Sequence, residues 1–211
     1  MCGYRSKLFI TEEGALDMVS KDKPKLIIIE GAQGCGKSTI SRILREKMTS
    51  TQLLSMSGNK DLSQGGKDKS FIQHSRTYSY IFDLRNADLN MILERSHLSE
   101  TIYARLGYKP YSFDEANDFI LEYHLNDTLS KFYDISIFIL VADEREYEKR
   151  LVRDKGSYVG FCVEGSMKQQ DEYLMELKNI EEKYPNIDCY VVDTIGYEAE
   201  EIADFIIKTI E

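Results

Sequence analysis

Residues 26–39 read Leu26-Ile27-Ile28-Ile29-Glu30-Gly31-Ala32-Gln33-Gly34-Cys35-Gly36-Lys37-Ser38-Thr39. Four apolar residues, three of them β-branched, predict a short strand buried on both faces. Gly31 to Ser38 fits the spacing G-x-x-x-x-G-K-[ST], a loop that wraps its backbone around phosphate. Gly31, Gly34 and Gly36 allow backbone angles that side chains forbid, so successive N–H groups turn inward on an anion. Downstream, Ile40, Ile43, Leu44 and Met48 share one helical face. The loop therefore ends at a helix N-terminus, whose unpaired amides and partial positive charge favour an anion. The run Gly31, Ala32, Gln33, Gly34, Cys35, Gly36, Lys37, Ser38 and Thr39 is thus expected to bind a nucleoside triphosphate, read as ATP. Lys37 would face the outer phosphates, and Ser38 would offer its hydroxyl to Mg²⁺.

Outward from this stretch, 211 residues with 42% hydrophobic content suit a single domain over 25–211 with a full-sized core. Residues 1–24 form a polar lead-in, with a turn or two of helix expected around Glu12–Val19. The net charge of −9 disfavours non-specific binding to nucleic acid or membrane, so any anionic ligand must meet a local basic cluster. The longest apolar run, Ile135–Val141, is far short of a membrane span. Cys2, Cys35, Cys162 and Cys189 lack metal-ligand spacing and read as free thiols of a cytoplasmic protein.

Weak strand character at Gln52–Met56 is followed by a Gly-, Lys- and Ser-rich loop over Ser57–Ser70 and a helix over Phe71–Asn86. Leu89–Leu93 reads as a strand ending at Glu94-Arg95-Ser96, with a helix over Leu98–Leu106. Ser112 and Glu115 fit a capping box, so a helix is expected from Phe113 to about Phe132. Ile135–Val141 is the clearest later strand, and a basic helix from Asp143 leads into a glycine-containing flap near 150–170. Tyr173, Leu177, Ile180 and Tyr184 make a helical stripe, Cys189–Val192 the last strand, and Ile202, Phe205, Ile206 and Ile210 the inner face of the final helix. Alternation of strand and helix predicts an α/β fold, a parallel sheet with helices on both faces.

Glu94-Arg95 falls at the carboxyl end of a buried strand, the edge where open parallel sheets bind ligands. A carboxylate there can hold Mg²⁺, and the adjacent Arg can clamp a phosphate. The segment Glu94-Arg95-Ser96-His97-Leu98-Ser99-Glu100-Thr101-Ile102-Tyr103 resembles the D-R-[YH]-x-x-S-x-x-x-Y segment of the thymidylate kinases. Arg95, Ser99 and Tyr103 match in register, and Glu94 replaces the Asp. Glu94-Arg95-Ser96 is also similar to the E-R-S of the deoxynucleoside kinases. The resemblance implies a five-stranded sheet of order 2-3-1-4-5, a metal role for Glu94 with Ser38, and acceptor contacts from Arg95, Ser99 and Tyr103. It further implies that Arg150 and Arg153, which share a helix face, close over the phosphates during transfer, and it raises a homodimer. Arg76, among Phe71, Tyr78 and Tyr80, sits about where those enzymes hold the acceptor. His74, His97 and His124 show no metal-ligand pattern and read as polar-face residues.

The phosphate-loop motif and the resemblance together imply that Lys37, Glu94, Arg95, Arg150 and Arg153 carry catalysis in an ATP-dependent phosphotransferase. The R-E-P-G-G-T and W-E-P signatures of the two families are absent, and no Glu lies between Lys47 and Leu93. A nucleoside acceptor needs a base for its hydroxyl, whereas a monophosphate is already anionic. The expected acceptor is therefore a deoxynucleoside monophosphate; the alternative is a deoxynucleoside, with Asp61 as base. A nucleotide-dependent switch is a further alternative, though the guanine-reading N-K-x-D is absent. Cys35, beside Lys37 and a helix N-terminus, is expected to be a reactive thiolate unless it points into packed protein.

Overall fold

The computed structural model describes residues 23–58, 61–151 and 162–211 in full, and 8–10, 16–18, 152 and 153 by backbone alone. Leu8–Ile10 and Leu16–Met18 pair as a short antiparallel ribbon, so the lead-in is extended at Leu16–Met18 where the sequence suggested helix.

Five parallel strands follow: β1 (Lys25–Gly31), β2 (Thr51–Ser55), β3 (Asn90–Glu94), β4 (Asp134–Val141) and β5 (Ile187–Asp193). Their spatial order is 2-3-1-4-5, with β1 in the centre between β3 and β4. Alternation of side chains across a strand splits the β1 isoleucines between two cores. Leu26 and Ile28 join one cluster with Met91, Ile137 and Tyr173; Ile27 and Ile29 join another with Leu44, Phe138 and Ile206. All four are fully buried, which is why this strand reads as a continuous apolar run.

The helices are α1 (Lys37–Lys47), α2 (Gly66–Asp83), α3 (His97–Arg105), α4 (Asp114–Phe119), α5 (Glu144–Arg153), α6 (Val163–Lys183) and α7 (Ala199–Ile210). Residues from α2, α3, α4 and α6 cover one face of the sheet, and residues from α1, α5 and α7 the other. No helix among the described residues is long and apolar enough to cross a membrane.

Several boundaries differ from the sequence reading. The exposed loop ends early, because α2 begins at Gly66. The helix expected from Phe113 breaks into α4, a π-helical stretch over Ile120–Asn126 and a 3₁₀ turn over Leu129–Lys131. Its capping box does not form, since the Ser112 hydroxyl bonds Asp114 instead. The flap is shorter than expected: 163–170 is already helix α6, and 154–161 lie outside the described residues. On α7, Ile202 and Ile206 are buried, but Phe205 faces solvent.

Candidate functional site

The loop after β1 is shaped by contact as well as by conformation. Gly31 has a φ of 135°, and a β-carbon on it would stand 2.5 Å from the Leu140 carbonyl oxygen. Gly36 caps α1 with a φ of 97°, a left-handed angle that glycine adopts without penalty. Among the described residues the amides of Gly34, Gly36, Lys37 and Ser38 have no hydrogen-bond acceptor, so four donors stand at the N-terminus of α1. Lys37 is buried and turns back over its loop, donating to the carbonyls of Gly31 at 2.8 Å and Ala32 at 2.7 Å. Burial lowers its pKa, an effect that Cys35 and Glu30 oppose.

Two hydroxyls hold the Glu94 carboxylate. Ser38 Oγ donates to Oε1, and Ser55 Oγ donates to Oε2 at 2.8 Å. Thus the loop serine and the acid at the end of β3, separate in sequence, meet in space. This all-oxygen pair suits Mg²⁺, which takes one or two protein ligands and fills its remaining positions with phosphate and water. No cluster of three or more His, Cys, Asp or Glu stands ready to hold a metal among the described residues.

Arg95 is the next residue, and its backbone is strained. Its φ of 68° is costly for a side-chain-bearing residue, on the order of 1–3 kcal/mol, and needs surrounding structure to impose it. That structure is Glu30, which the sequence reading passed over. Its buried carboxylate accepts from the amide and hydroxyl of Ser96 at 2.6 and 2.8 Å, and from the amide and hydroxyl of Ser99 at 3.3 and 2.8 Å. The start of α3 is thereby fixed to the end of β1. A charged residue inside an otherwise apolar strand was the available signal. Burial works against the Arg95 charge, but Tyr103, Tyr173 and Glu30 outweigh it and raise its pKa.

A cleft adjoins these groups, lined by Met56, Ser57, Gly58, His74, Arg95 and Glu100 with Ser96, Ser99 and Tyr103. Arg95 Nη1 donates to the Tyr103 hydroxyl at 3.3 Å, so the predicted pair does face one space. Ser99 lines it too, yet its hydroxyl is engaged by Glu30 and by Tyr173 at 2.9 Å.

Other expectations need correction. Arg76 is exposed on α2 and does not line the cleft, because the inward positions of that helix belong to Ser70, His74 and Tyr78. His74 and His97 are buried, not on a polar face. Cys35 is 1% exposed within the core beside Tyr147, which removes it from reagents. Asp61 is held by Lys69 at 2.5 Å and by the Ser63 amide, bonds that keep its carboxyl well below the usual range and make it a poor base.

Arg150 lies at the loop rather than at the acceptor cleft. Its guanidinium donates to Thr194 Oγ1 at 3.0 Å, the Thr194 carbonyl at 3.3 Å and the Gly34 carbonyl at 3.5 Å, while Glu146 pairs with Nε at 2.9 Å. Arg153 ends α5, and its side chain lies outside the described residues. Helix α6 adds a clamp that no motif announced. Gln169 Oε1 accepts from the Gln33 amide at 3.1 Å, and Ser166 Oγ donates to the Gln33 carbonyl at 3.1 Å.

No protein-family model and no curated protein sequence matches the chain. Solved structures do match it in shape. YorR protein from Bacillus subtilis, in complex with phosphorylated GDP, is 23% identical with a TM-score of 0.62, over 88% of this chain and 95% of that one. Thymidylate kinase from Candida albicans is 20% identical with a TM-score of 0.63, over 90% and 92%. Deoxyadenosine kinase from M. mycoides with bound dCTP is 19% identical with a TM-score of 0.56, over 88% and 98%. This is the fold of the P-loop nucleoside and nucleotide kinases. The kinase fold places the loop of residues 31–38 and the end of β3 side by side, at the carboxyl edge where doubly wound sheets take their ligands.

Proposed function

We propose that the chain is a kinase that transfers the γ-phosphoryl group of ATP to a deoxynucleoside monophosphate. One observation supports this most: Ser38 and Glu94 meet beside four free loop amides, and Arg95 follows directly at the mouth of a second cleft. The arrangement offers a phosphate cradle, an oxygen pair and a fixed cation in the order a phosphoryl transfer uses them.

In this reading the amides of Gly34, Gly36, Lys37 and Ser38 bind the β-phosphate region, and Lys37 leaves its loop carbonyls for the outer phosphates. Mg²⁺, held by Ser38 and Glu94, would neutralise charge on the β- and γ-phosphates. Arg95 orients the acceptor phosphate, whose anionic oxygen forms the new bond to the γ-phosphorus while the β–γ bridging bond breaks and ADP leaves. No proton has to be removed from such an acceptor, in keeping with the commitment of Asp61 to Lys69.

A deoxynucleoside acceptor is the second reading. What favours it is that Arg95 is the only cation among the described residues lining the cleft. A coupled ADP-release assay across nucleosides and monophosphates separates the two. Turnover with monophosphates alone supports the first reading, and turnover with nucleosides alone supports the second. Nucleotide binding without turnover on any acceptor would remove both and leave a switch protein.

A further inference from the structure

Glu100 is a buried charge that the donor chemistry does not use. It lies on α3, one turn beyond Ser96, and is 1% exposed. Its Oε1 is crowded with donors: the Tyr111 hydroxyl at 2.5 Å, Ser70 Oγ at 3.1 Å and Lys109 Nζ at 3.0 Å. Its Oε2 is equally buried and has no hydrogen-bond partner among the described residues. A buried carboxylate oxygen without a donor is costly, so such oxygens are ordinarily satisfied. This one belongs to a residue that lines the cleft beside Arg95. Gly58 lies against it: a methyl group there would stand 3.5 Å from Oε2.

We propose that Glu100 reads the acceptor's base and that this base carries an exocyclic amino group. The inference rests on the acceptor-cleft reading above and names its substrate class. Oε2 can only accept, so the ligand must bring a donor hydrogen. Lys109 beside Oε1 argues against a metal ion, since two cations would repel. Thymine and uracil offer one N–H between two carbonyl oxygens, which a carboxylate repels. Cytosine and adenine offer an amino group, and guanine an amino group beside a ring N–H, a pairing that suits a carboxylate.

The test compares acceptors that differ at the amino group: cytosine against uracil, adenine against unsubstituted purine, and guanine against hypoxanthine. Each is supplied to the wild-type protein as nucleoside and as monophosphate. The amino-bearing member should have a kcat/KM about tenfold to a hundredfold higher, the loss that follows removal of a hydrogen bond to a charged group. Glu100→Gln keeps the size of the side chain and adds an N–H donor that suits a carbonyl. It should shrink or reverse each preference by about tenfold or more. If that variant does not fold, the wild-type pairs decide alone.

Equal use of both members of each pair overturns the assignment and leaves the kinase reading standing. A Glu100→Gln loss that is the same for every base also overturns it, because Oε2 would then serve a sugar hydroxyl. If no acceptor is phosphorylated, the kinase reading fails, and calorimetric affinities of the same pairs for the wild-type protein still decide the base assignment.

Discussion

On the donor side of the site, four free amides fall within five consecutive residues of one loop. On the acceptor side, the cleft is assembled from the end of β2, from α2 and from α3, with Met56–Gly58, His74, Arg95 and Glu100 converging from separate segments. The first arrangement needs only glycine at fixed spacing and a helix behind it. The second depends on which side chains happen to face inward once the helices pack. A backbone-built site can therefore be carried by a short motif, while a side-chain-built site can be rewritten one residue at a time without disturbing the fold.

Five measurements probe this contrast, and Lys37→Ala is expected to have the largest effect. Removing the charge that the donor loop presents should lower kcat by about a thousandfold or more, with the fold retained. Wild-type turnover in a folded Lys37→Ala protein would break the comparison, because the loop would then not be the chemical half. Glu94→Gln should cost about a hundredfold in kcat with little change in ATP affinity, read as turnover against Mg²⁺ concentration. An unchanged Mg²⁺ profile would make Glu94 only a brace for Ser38 and Ser55.

Arg150→Ala should cost about tenfold, chiefly through the KM for ATP, since the guanidinium supports Gly34 and Thr194. A pure kcat effect would show that Arg150 swings onto the transferred group, as the family resemblance implies.

The acceptor side should be the acid-sensitive half. Burial depresses the His74 pKa from 6.5 to about 4, against a smaller opposing influence of Glu100. An unfolded chain binds this proton below pH 6.5 and the folded chain only below about 4. The stability is therefore complete above pH 6.5 and is lost as pH falls from 6.5 through 4, by about 3 kcal/mol. Urea unfolding of the wild type and His74→Gln at pH 7 and pH 4.5 isolates this share; equal acid losses in both would contradict it. The smallest effect expected is at Cys35. Because it is buried, a mild alkylating agent should label exposed Cys162 first and leave activity intact. Rapid inactivation through Cys35 that Mg-ATP prevents would show that the loop opens in solution.

The alternation of strand and helix was readable because β1, β4 and the α6 stripe carry period and burial in their own residues, whereas the order of the strands came only from the resemblance carried by Glu94–Tyr103. Glu94 and Arg95 were readable because they follow a strand end. Glu30 was not singled out, for its partners Ser96 and Ser99 lie more than sixty residues away. Arg76 misled because an arginine among aromatics looks the same from either side of a helix, and only packing turned His74 inward instead. Glu100 lay inside the matched segment, yet nothing in its neighbours shows that one oxygen is saturated and the other bare.

The central position of β1 also has a consequence for how the chain is made. Its two neighbours are strands that begin at residues 90 and 134, with Lys25 opposite Asp134 and Gly31 opposite Leu140. A strand made early must therefore wait for partners made much later, and contacts of such separation are slow to close. At about 5–20 residues per second, the interval between synthesis of Gly31 and of Leu140 is on the order of 5–20 s. Until β4 emerges, this buried apolar strand has at most one of its two neighbours, and this is the window in which a nascent chain would draw chaperones or aggregate.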